Sequence, residues 1–317
     1  MDISLVTPAS KRSLSGNRAT AVRWARHFRE LGHRVTLGER YGGEPADLMV
    51  AIHAWRSAAS IAEFRDRHPA RPLVVLLAGT DVYSFQATDP ATTHRSMELA
   101  DRLVGLHRLV DRDIPRRFRG KLEVIVQSAE ATARRPALRG SFEVCVVGHL
   151  REEKDPFRAA WAARRLSPES RVRVVHVGRA YDASWAAAAE DEMVDNPRYL
   201  WLGEKPHWRV RQVMSRARLM VLSSRREGGA NVISEAIAAG LPVIASRIAG
   251  SVGLLGADYR GYYPVEDHLA LARLLARAES DREFYRTLQR QCRALAPQFR
   301  PARERESWRR LIEGLAD

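Results

Sequence analysis

Two carboxylates set around a glycine turn, Glu227 and Glu235 in the stretch Arg-Glu-Gly-Gly-Ala-Asn-Val-Ile-Ser-Glu (226–235), are the residues of this chain best placed to do chemistry. An apolar segment ending at Leu222 precedes them, and Gly228-Gly229 makes a tight turn. Asn231 is expected to cap a helix that runs to about Ala239 and stops at Gly240 and Pro242. A glycine loop at a helix N-terminus offers free backbone N–H groups and the positive end of the helix dipole, and the two together bind phosphate. A carboxylate beside such a site repels phosphate and is suited to accept hydrogen bonds from sugar hydroxyls. Two carboxylates around one anion site outline a nucleotide sugar. The plainer alternative is that Glu235 only complements the helix dipole and that the glycines only turn the chain.

A second loop carries the opposite charge. In His149-Leu150-Arg151-Glu152-Glu153-Lys154-Asp155-Pro156, Asp155 is expected as N-cap and Pro156 as first helical residue, which puts Arg151 and Lys154 at the positive end of a helix. Cations are disfavoured there unless an anion joins them, and a diphosphate fits, held by the fork of Arg151 and the point charge of Lys154. The alternative is a surface loop in which both cations pair with Glu152 and Glu153. In the first half, Gly16 and Asn17 follow the first strand, and His53, Arg56 and Thr80 follow later ones. Position alone makes them candidates for contact with a second substrate. Asn17 as a plain helix cap and His53 as a satisfied buried histidine are the alternatives.

These loops need elements to hold them, and strand and helix patterns alternate along the whole chain, as in parallel α/β sheets. Strands are expected at 3–7, 33–37, 47–52, 73–78, 102–106 and 122–126, and again at 142–147, 171–177, 199–202, 218–222 and 242–245. Residues 127–141 read as a linker. The expected organisation is therefore two doubly wound, Rossmann-like domains, 1–140 and 141–299, facing a central cleft, with a last helix at about 300–317 packing back on the first.

Composition narrows the function. The net charge of +14 comes from 48 arginines against four lysines, scattered along 317 residues, which suits a GC-rich genome better than a nucleic-acid-binding face. Cys145 and Cys292 give neither a disulfide framework nor a metal spacing. No Gly-x-Gly-x-x-Gly follows the first strand and no P-loop is present, which argues against dinucleotide oxidoreductases and P-loop enzymes. The N-terminus enters a strand without a signal peptide and no apolar run is long enough to span a bilayer. A cytoplasmic enzyme of small molecules, without membrane insertion and of open oligomeric state, is expected.

The pair in REGGANVISEA, the loop GHLREEKDP and the two α/β halves resemble the retaining GT-B glycosyltransferases of family 4. That resemblance implies that Glu227 contacts the donor sugar, that Glu235 binds the ribose diol, and that Arg151 and Lys154 neutralise the diphosphate. It also implies that Leu202 and Gly203 lie against uracil and that Gly228, Gly229, Ala230, Asn231 and Val232 complete the nucleotide-sugar site, with Arg151, Lys154 and Glu227 catalytic and no bound metal. Where the family usually carries Glu-Gly-Phe-Gly, this chain has Glu227-Gly228-Gly229-Ala230 and lacks the aromatic. The segments GEPADLMVAIHAWRSAASI, AGTDVYSF, FEVCVVGHLREEKDPFRAA and SSRREGGANVISEAIAAGLPVIAS resemble more closely still the subgroup of selenosugar synthases of selenoneine biosynthesis. This implies a UDP-sugar, UDP-N-acetylglucosamine or UDP-glucose, as donor and selenophosphate as acceptor. A family 4 enzyme acting on a hydroxyl group is the alternative.

Overall fold

Leu-Met-Val-Ala-Ile (48–52) and Leu-Val-Val-Leu (73–76) are apolar at every position, the pattern of strands covered on both faces. In the computed structural model, which describes residues 1–315, both lie at the middle of a six-stranded parallel sheet. The strands are β1 (Asp2–Val6), β2 (Arg34–Gly38), β3 (Leu48–Ile52), β4 (Leu73–Leu76), β5 (Arg102–Gly105) and β6 (Leu122–Val124), in the spatial order β2-β1-β3-β4-β5-β6. Side chains alternate between the two faces with the period of the pleat. Met49, Ala51, Val75 and Leu103 pack with Phe64, Met97 and Phe118. Ile3, Leu5, Val50, Ile52, Val74 and Val104 pack with Trp24, Phe28 and Trp308.

Trp308 comes from the last helix, Pro301–Glu313, and meets Trp24 and Phe28 edge-on with ring centroids 4.5 and 4.8 Å away. The same helix buries Glu304 completely. Its carboxylate accepts from Arg23, Trp24 and Ser128, and His27 Nε2 lies 3.3 Å away. Residues 316 and 317 of the expected last helix lie outside the described residues.

The second sheet contains β7 (Phe142–Val147), β8 (Val172–Val177), β9 (Tyr199–Trp201), β10 (Leu219–Leu222), β11 (Val243–Ser246) and β12 (Tyr262–Tyr263). It is also all parallel, in the order β12-β11-β10-β7-β8-β9. β12 is two residues long and has no apolar run to announce it.

The chain divides into two units. One takes Met1–Ser128, Glu227–Gly229 and the stretch from Pro301; the other takes Ala129–Arg226 and Ala230–Arg300. Residues 129–140, read from sequence as linker at the end of a first domain, are bound instead to the second unit. The Arg134 guanidinium donates to the carbonyls of Met214 and Ala217, Thr132 N–H to Ala238 O, and Arg211 to Ala131 O and Thr132 Oγ1. Polar bonds of this kind, part-buried or exposed, hold the segment where its composition alone suggests a free connection.

Candidate active site

In the second sheet the strand order reverses between β7 and β10, and open parallel sheets bind ligands beyond the strand C-termini at such a point. The loop after β7 carries Arg151 and Lys154, and the loop after β10 leads to Glu235. They are knitted together: Ser223 Oγ donates to Lys154 O at 3.0 Å, Arg225 N–H to Glu153 O at 2.9 Å, and Arg225 Nη1 to Glu152 Oε1 at 2.9 Å. Arg225 Nη2 reaches Glu266 at 2.7 Å. A small cavity between these strand ends is lined by Gly148, His149, Lys154, His176, Ser223 and Ser224. A larger one, about 600 Å³, opens near the beginnings of β7, β8 and β10, lined by Phe142, Arg171 and Arg218 among others, and contains none of the candidate residues.

The helix start expected at Asp155-Pro156 is displaced. Asp155 has a positive φ of 46°, its carboxylate pairs with the Arg158 guanidinium at 2.7 Å, and the helix begins only at Arg158. Arg151 and Lys154 therefore flank a 3₁₀ turn, Glu152–Lys154, and their place is set by bonds between loops rather than by a helix cap. Arg151 Nε lies 3.1 Å from Glu153 Oε1 in an ion pair whose angle falls short of a hydrogen bond.

The ends of β7, β8 and β9 interlock through glycine. A Cβ on Gly178 would stand 1.8 Å from Gly148 O, so no other residue fits there. Gly178 N–H donates to Gly203 O and Leu202 N–H to His176 O, which places Leu202 and Gly203 beside the end of β8. His176 is fully buried; Nε2 donates to Gly148 O and Nδ1 accepts from the Tyr199 hydroxyl, each at 3.0 Å. Burial pushes its pKa down to about 4, so it stays neutral as a strut beneath the loop. His149 is likewise lowered by burial and then by the neighbouring Arg151, and its Nδ1 accepts from Arg179 N–H.

The helix bearing Glu235 spans Asn231–Ala238, with Ala230 as its cap; Asn231 is its first residue rather than the cap expected. Glu235 is mostly buried, its side chain 19% exposed, and Oε1 sits 3.3 Å from His207 Nε2. Ala230 is buried, and Asn231 and Val232 are half-buried beside it. Sequence reasoning passed over His207, which opens the helix His207–Arg216 and carries no motif.

In the first unit the sheet order turns between β1 and β3. The helix after β1 spans Gly16–Glu30 with Ser15 as cap, so Asn17 lies inside the first turn instead of capping it. Directly after β3 stands His53, with φ of 79° and 1% exposure. Its Nδ1 lies 2.7 Å from Asp81 Oδ1 and its Nε2 2.9 Å from Thr80 Oγ1. Asp81 is fully buried and accepts from the N–H groups of Ala54, Trp55 and Ala78. It opens a rare π-helical turn, Asp81–Phe85, of a kind frequent at functional sites. Phe85 stacks on Trp55 at 4.1 Å with parallel planes, and the Arg56 guanidinium lies over both rings at about 6 Å.

This unit also holds Glu227–Gly229. Gly79 and Gly228 pack so closely that a Cβ on Gly79 would sit 2.6 Å from Gly228 N, and one on Gly229 would sit 2.4 Å from Leu106 Cβ. Glu227 is half-buried, and its charge adds to the burial and the Asp113 hydrogen bond that raise the pKa of Tyr83. The structure thus groups His53, Arg56 and Thr80, and joins them through Gly79 to the Glu227 loop. Among the described residues no hydrogen bond or ion pair connects Gly16 or Asn17 to them. Phe85 went unnoticed in sequence; Trp55 and Asp81 stand in the strand-end loops 53–56 and 80–81 that the sequence marks as able to approach a second substrate, but their stacking and pairing were not legible there.

Residues 130–295 match the model of the family described as glycosyl transferases group 1, more than half of the chain. The chain belongs to the group 1 glycosyltransferases. The fold agrees. The crystal structure of Anabaena Alr3699/HepE in complex with UDP superposes with a TM-score of 0.82 at 16% identity, over 99% of this chain and 100% of that one. The same protein in complex with UDP-glucose gives 0.80 at 15%, with the same coverage. Sucrose-phosphate synthase from Thermosynechococcus elongatus gives 0.81 at 17% identity, over 99% and 98% of the two chains. At these identities the likeness is one of fold, and the fold of this glycosyltransferase is GT-B. No curated protein sequence matches it. Among the described residues, no helix is long and apolar enough to cross a membrane.

Proposed function

We propose that this glycosyltransferase moves a sugar, N-acetylglucosamine or glucose, from its UDP derivative to selenophosphate, forming a carbon–selenium bond and releasing UDP and phosphate. The observation that carries the donor half is the knitting of the Arg151–Lys154 loop to the Ser223–Arg225 loop at the β7/β10 strand ends. It supports two cations beside the segment leading to Glu235, as a diphosphate flanked by sugar hydroxyls needs. The solved relatives bound to UDP and UDP-glucose support the same donor class. The selenium acceptor is supported by the segments around His53, Thr80, Arg151 and Glu227, whose resemblance to selenosugar synthases runs through both units.

In this mechanism selenium attacks C1 of the sugar as UDP departs. Selenophosphate is already an anionic, polarisable nucleophile, so the step leans on charge stabilisation of the leaving diphosphate by Arg151 and Lys154 more than on a base. Glu227 holds the donor sugar, Glu235 the ribose, and Leu202 and Gly203 the uracil. No metal takes part. One feature favours a second reading, a hydroxyl acceptor: the Thr80–His53 pair is suited to take up a proton.

The deciding experiment is UDP release from UDP-N-acetylglucosamine and UDP-glucose, with and without selenophosphate, coupled to mass detection of a selenium-containing sugar. Release that depends on selenophosphate and yields that product is expected. Release with an alcohol alone, and none with selenophosphate, would establish the second reading instead.

A further inference from the structure

We propose that the cavity of about 600 Å³ at the beginnings of β7, β8 and β10 is a binding site for a small molecule carrying two or more phosphoryl groups, separate from the donor site.

The cavity lies wholly within the second unit. Its floor is aromatic: Phe142, buried at the start of β7, meets Tyr285 edge-on at 5.9 Å, and the Tyr285 hydroxyl donates to Arg218 O at 2.7 Å. Around that floor stand Arg139, Arg171, Arg218, Arg282 and Arg286, and Glu279 is the one carboxylate among the described residues that line it. That carboxylate is already engaged. Oε2 accepts from Ser170 Oγ at 2.7 Å and Oε1 from Arg171 N–H at 2.8 Å, with Arg171 Nε 3.5 Å away. Glu279 thus partners Arg171 and serves none of the other four.

Among the described residues, the guanidiniums of Arg139, Arg218, Arg282 and Arg286 make no hydrogen bond or ion pair. The acids nearest in sequence are spoken for: Asp281 pairs with Arg277 at 3.0 Å and Glu283 with Arg290 at 2.8 Å. On the helix Arg282–Leu295, Arg282 and Arg286 stand four positions apart and line the cavity with Tyr285 and Gln289, a single face of that helix. Like charges at this spacing repel, and an anion beside both relieves them.

The chemistry selects the ligand. A guanidinium fork matches two phosphate oxygens at once, and four such forks outnumber the oxygens of one phosphate. The volume falls in the range of small-molecule sites, about 300–1,000 Å³, and it is concave, whereas a bilayer needs an open basic face. The cavity also lies at the far end of β7 from the Arg151 loop, roughly 15–20 Å along a strand of 6 residues. What binds there is therefore not the sugar donor.

Calorimetric titration of the full chain with pyrophosphate, with and without saturating UDP, tests the site. One pyrophosphate site that UDP does not displace is expected. Arg282→Ala and Arg286→Ala should each weaken it by about 10-fold or more, on the scale of a lost charge-assisted bond, with thermal melts confirming that both variants fold. Arg290→Ala removes the same charge from the same helix, but its guanidinium already pairs with Glu283, so affinity should stay within about 3-fold of wild type. Arg151→Ala should likewise leave it in place. No binding at millimolar pyrophosphate, displacement by UDP, or equal weakening in Arg290→Ala overturns the proposal. Sedimentation with phosphatidylglycerol vesicles separates a lipid headgroup from a free ligand: vesicle binding that requires Arg282 and Arg286, without pyrophosphate binding, overturns it as well.

Discussion

Ser128 N–H donates to Glu304 Oε2 at 2.9 Å across 176 residues of sequence, and the same buried carboxylate accepts from the Trp24 indole N–H. Burial alone would raise its pKa, but the Arg23 guanidinium and the bonds from His27 and Ser128 outweigh that and hold it at about 2. Glu304→Gln should destabilise the protein by about 3–5 kcal/mol, as breaking a buried charged network does, read from urea unfolding at pH 7. Because the folded pKa lies below the unfolded one, the carboxylate's contribution is present in full above about pH 4.5 and is lost as pH falls toward 2. The gap between wild type and variant should close over that interval.

Arg151→Ala and Lys154→Ala should each lower the turnover rate by about 100-fold, on the scale of one lost stabiliser of transition-state charge. Steady-state kinetics with saturating donor would test this. Unchanged turnover in both variants removes them from the diphosphate site.

Glu235→Ala should weaken UDP binding by about 10- to 100-fold, since a hydrogen bond to a charged group contributes about 1.5–3 kcal/mol. Calorimetric titration with UDP gives the answer directly. His207→Ala is the informative companion: it removes the group 3.3 Å from Oε1 and leaves the carboxylate itself in place, so its affinity should stay much nearer wild type.

Gly178→Ala should unfold the second unit or cost it more than about 3 kcal/mol, because its Cβ meets Gly148 O at 1.8 Å, where backbone has nowhere to go. Gly120→Ala, where nothing lies within 4 Å, is the control and should be close to neutral. Thermal melts of the two variants side by side would show the contrast.

Neither cysteine should react with a thiol reagent in the native protein, and both should react after unfolding. Cys145 is fully buried, which pushes its pKa up to about 12, and Cys292 is 3% exposed against the Tyr259 hydroxyl. A thiol titration with and without denaturant counts them.

The framework was legible because parallel strands covered on both faces write themselves as apolar runs, and β3, β4, β7 and β10 all lie where such runs stand. The loops were legible in composition but not in geometry. Asp155, Asn17 and Asn231 each have the side chain of a helix cap, yet the helices start elsewhere: Asp155 is taken up by Arg158 three positions on, and Asn17 and Asn231 lie inside the first turn. The pairing of Asp81 and the place of His207 escaped because their meaning is a partner distant in sequence: His53 is 28 positions away from Asp81, as Glu235 is from His207, and no spacing rule links either pair.

The first unit begins at the N-terminus and is closed by the helix that carries Glu304 and Trp308, with almost all of the second unit made in between. On the ribosome the order of synthesis is therefore not the order of completion. The second unit can emerge whole and fold while the first still exposes Trp24, Phe28 and Ile3 and waits for the helix Pro301–Glu313. Removing the stretch from Pro301 onward would strike a core whose other members, β1 among them, were made before the second unit, and chaperone dependence should track that exposed face rather than the family domain at 130–295.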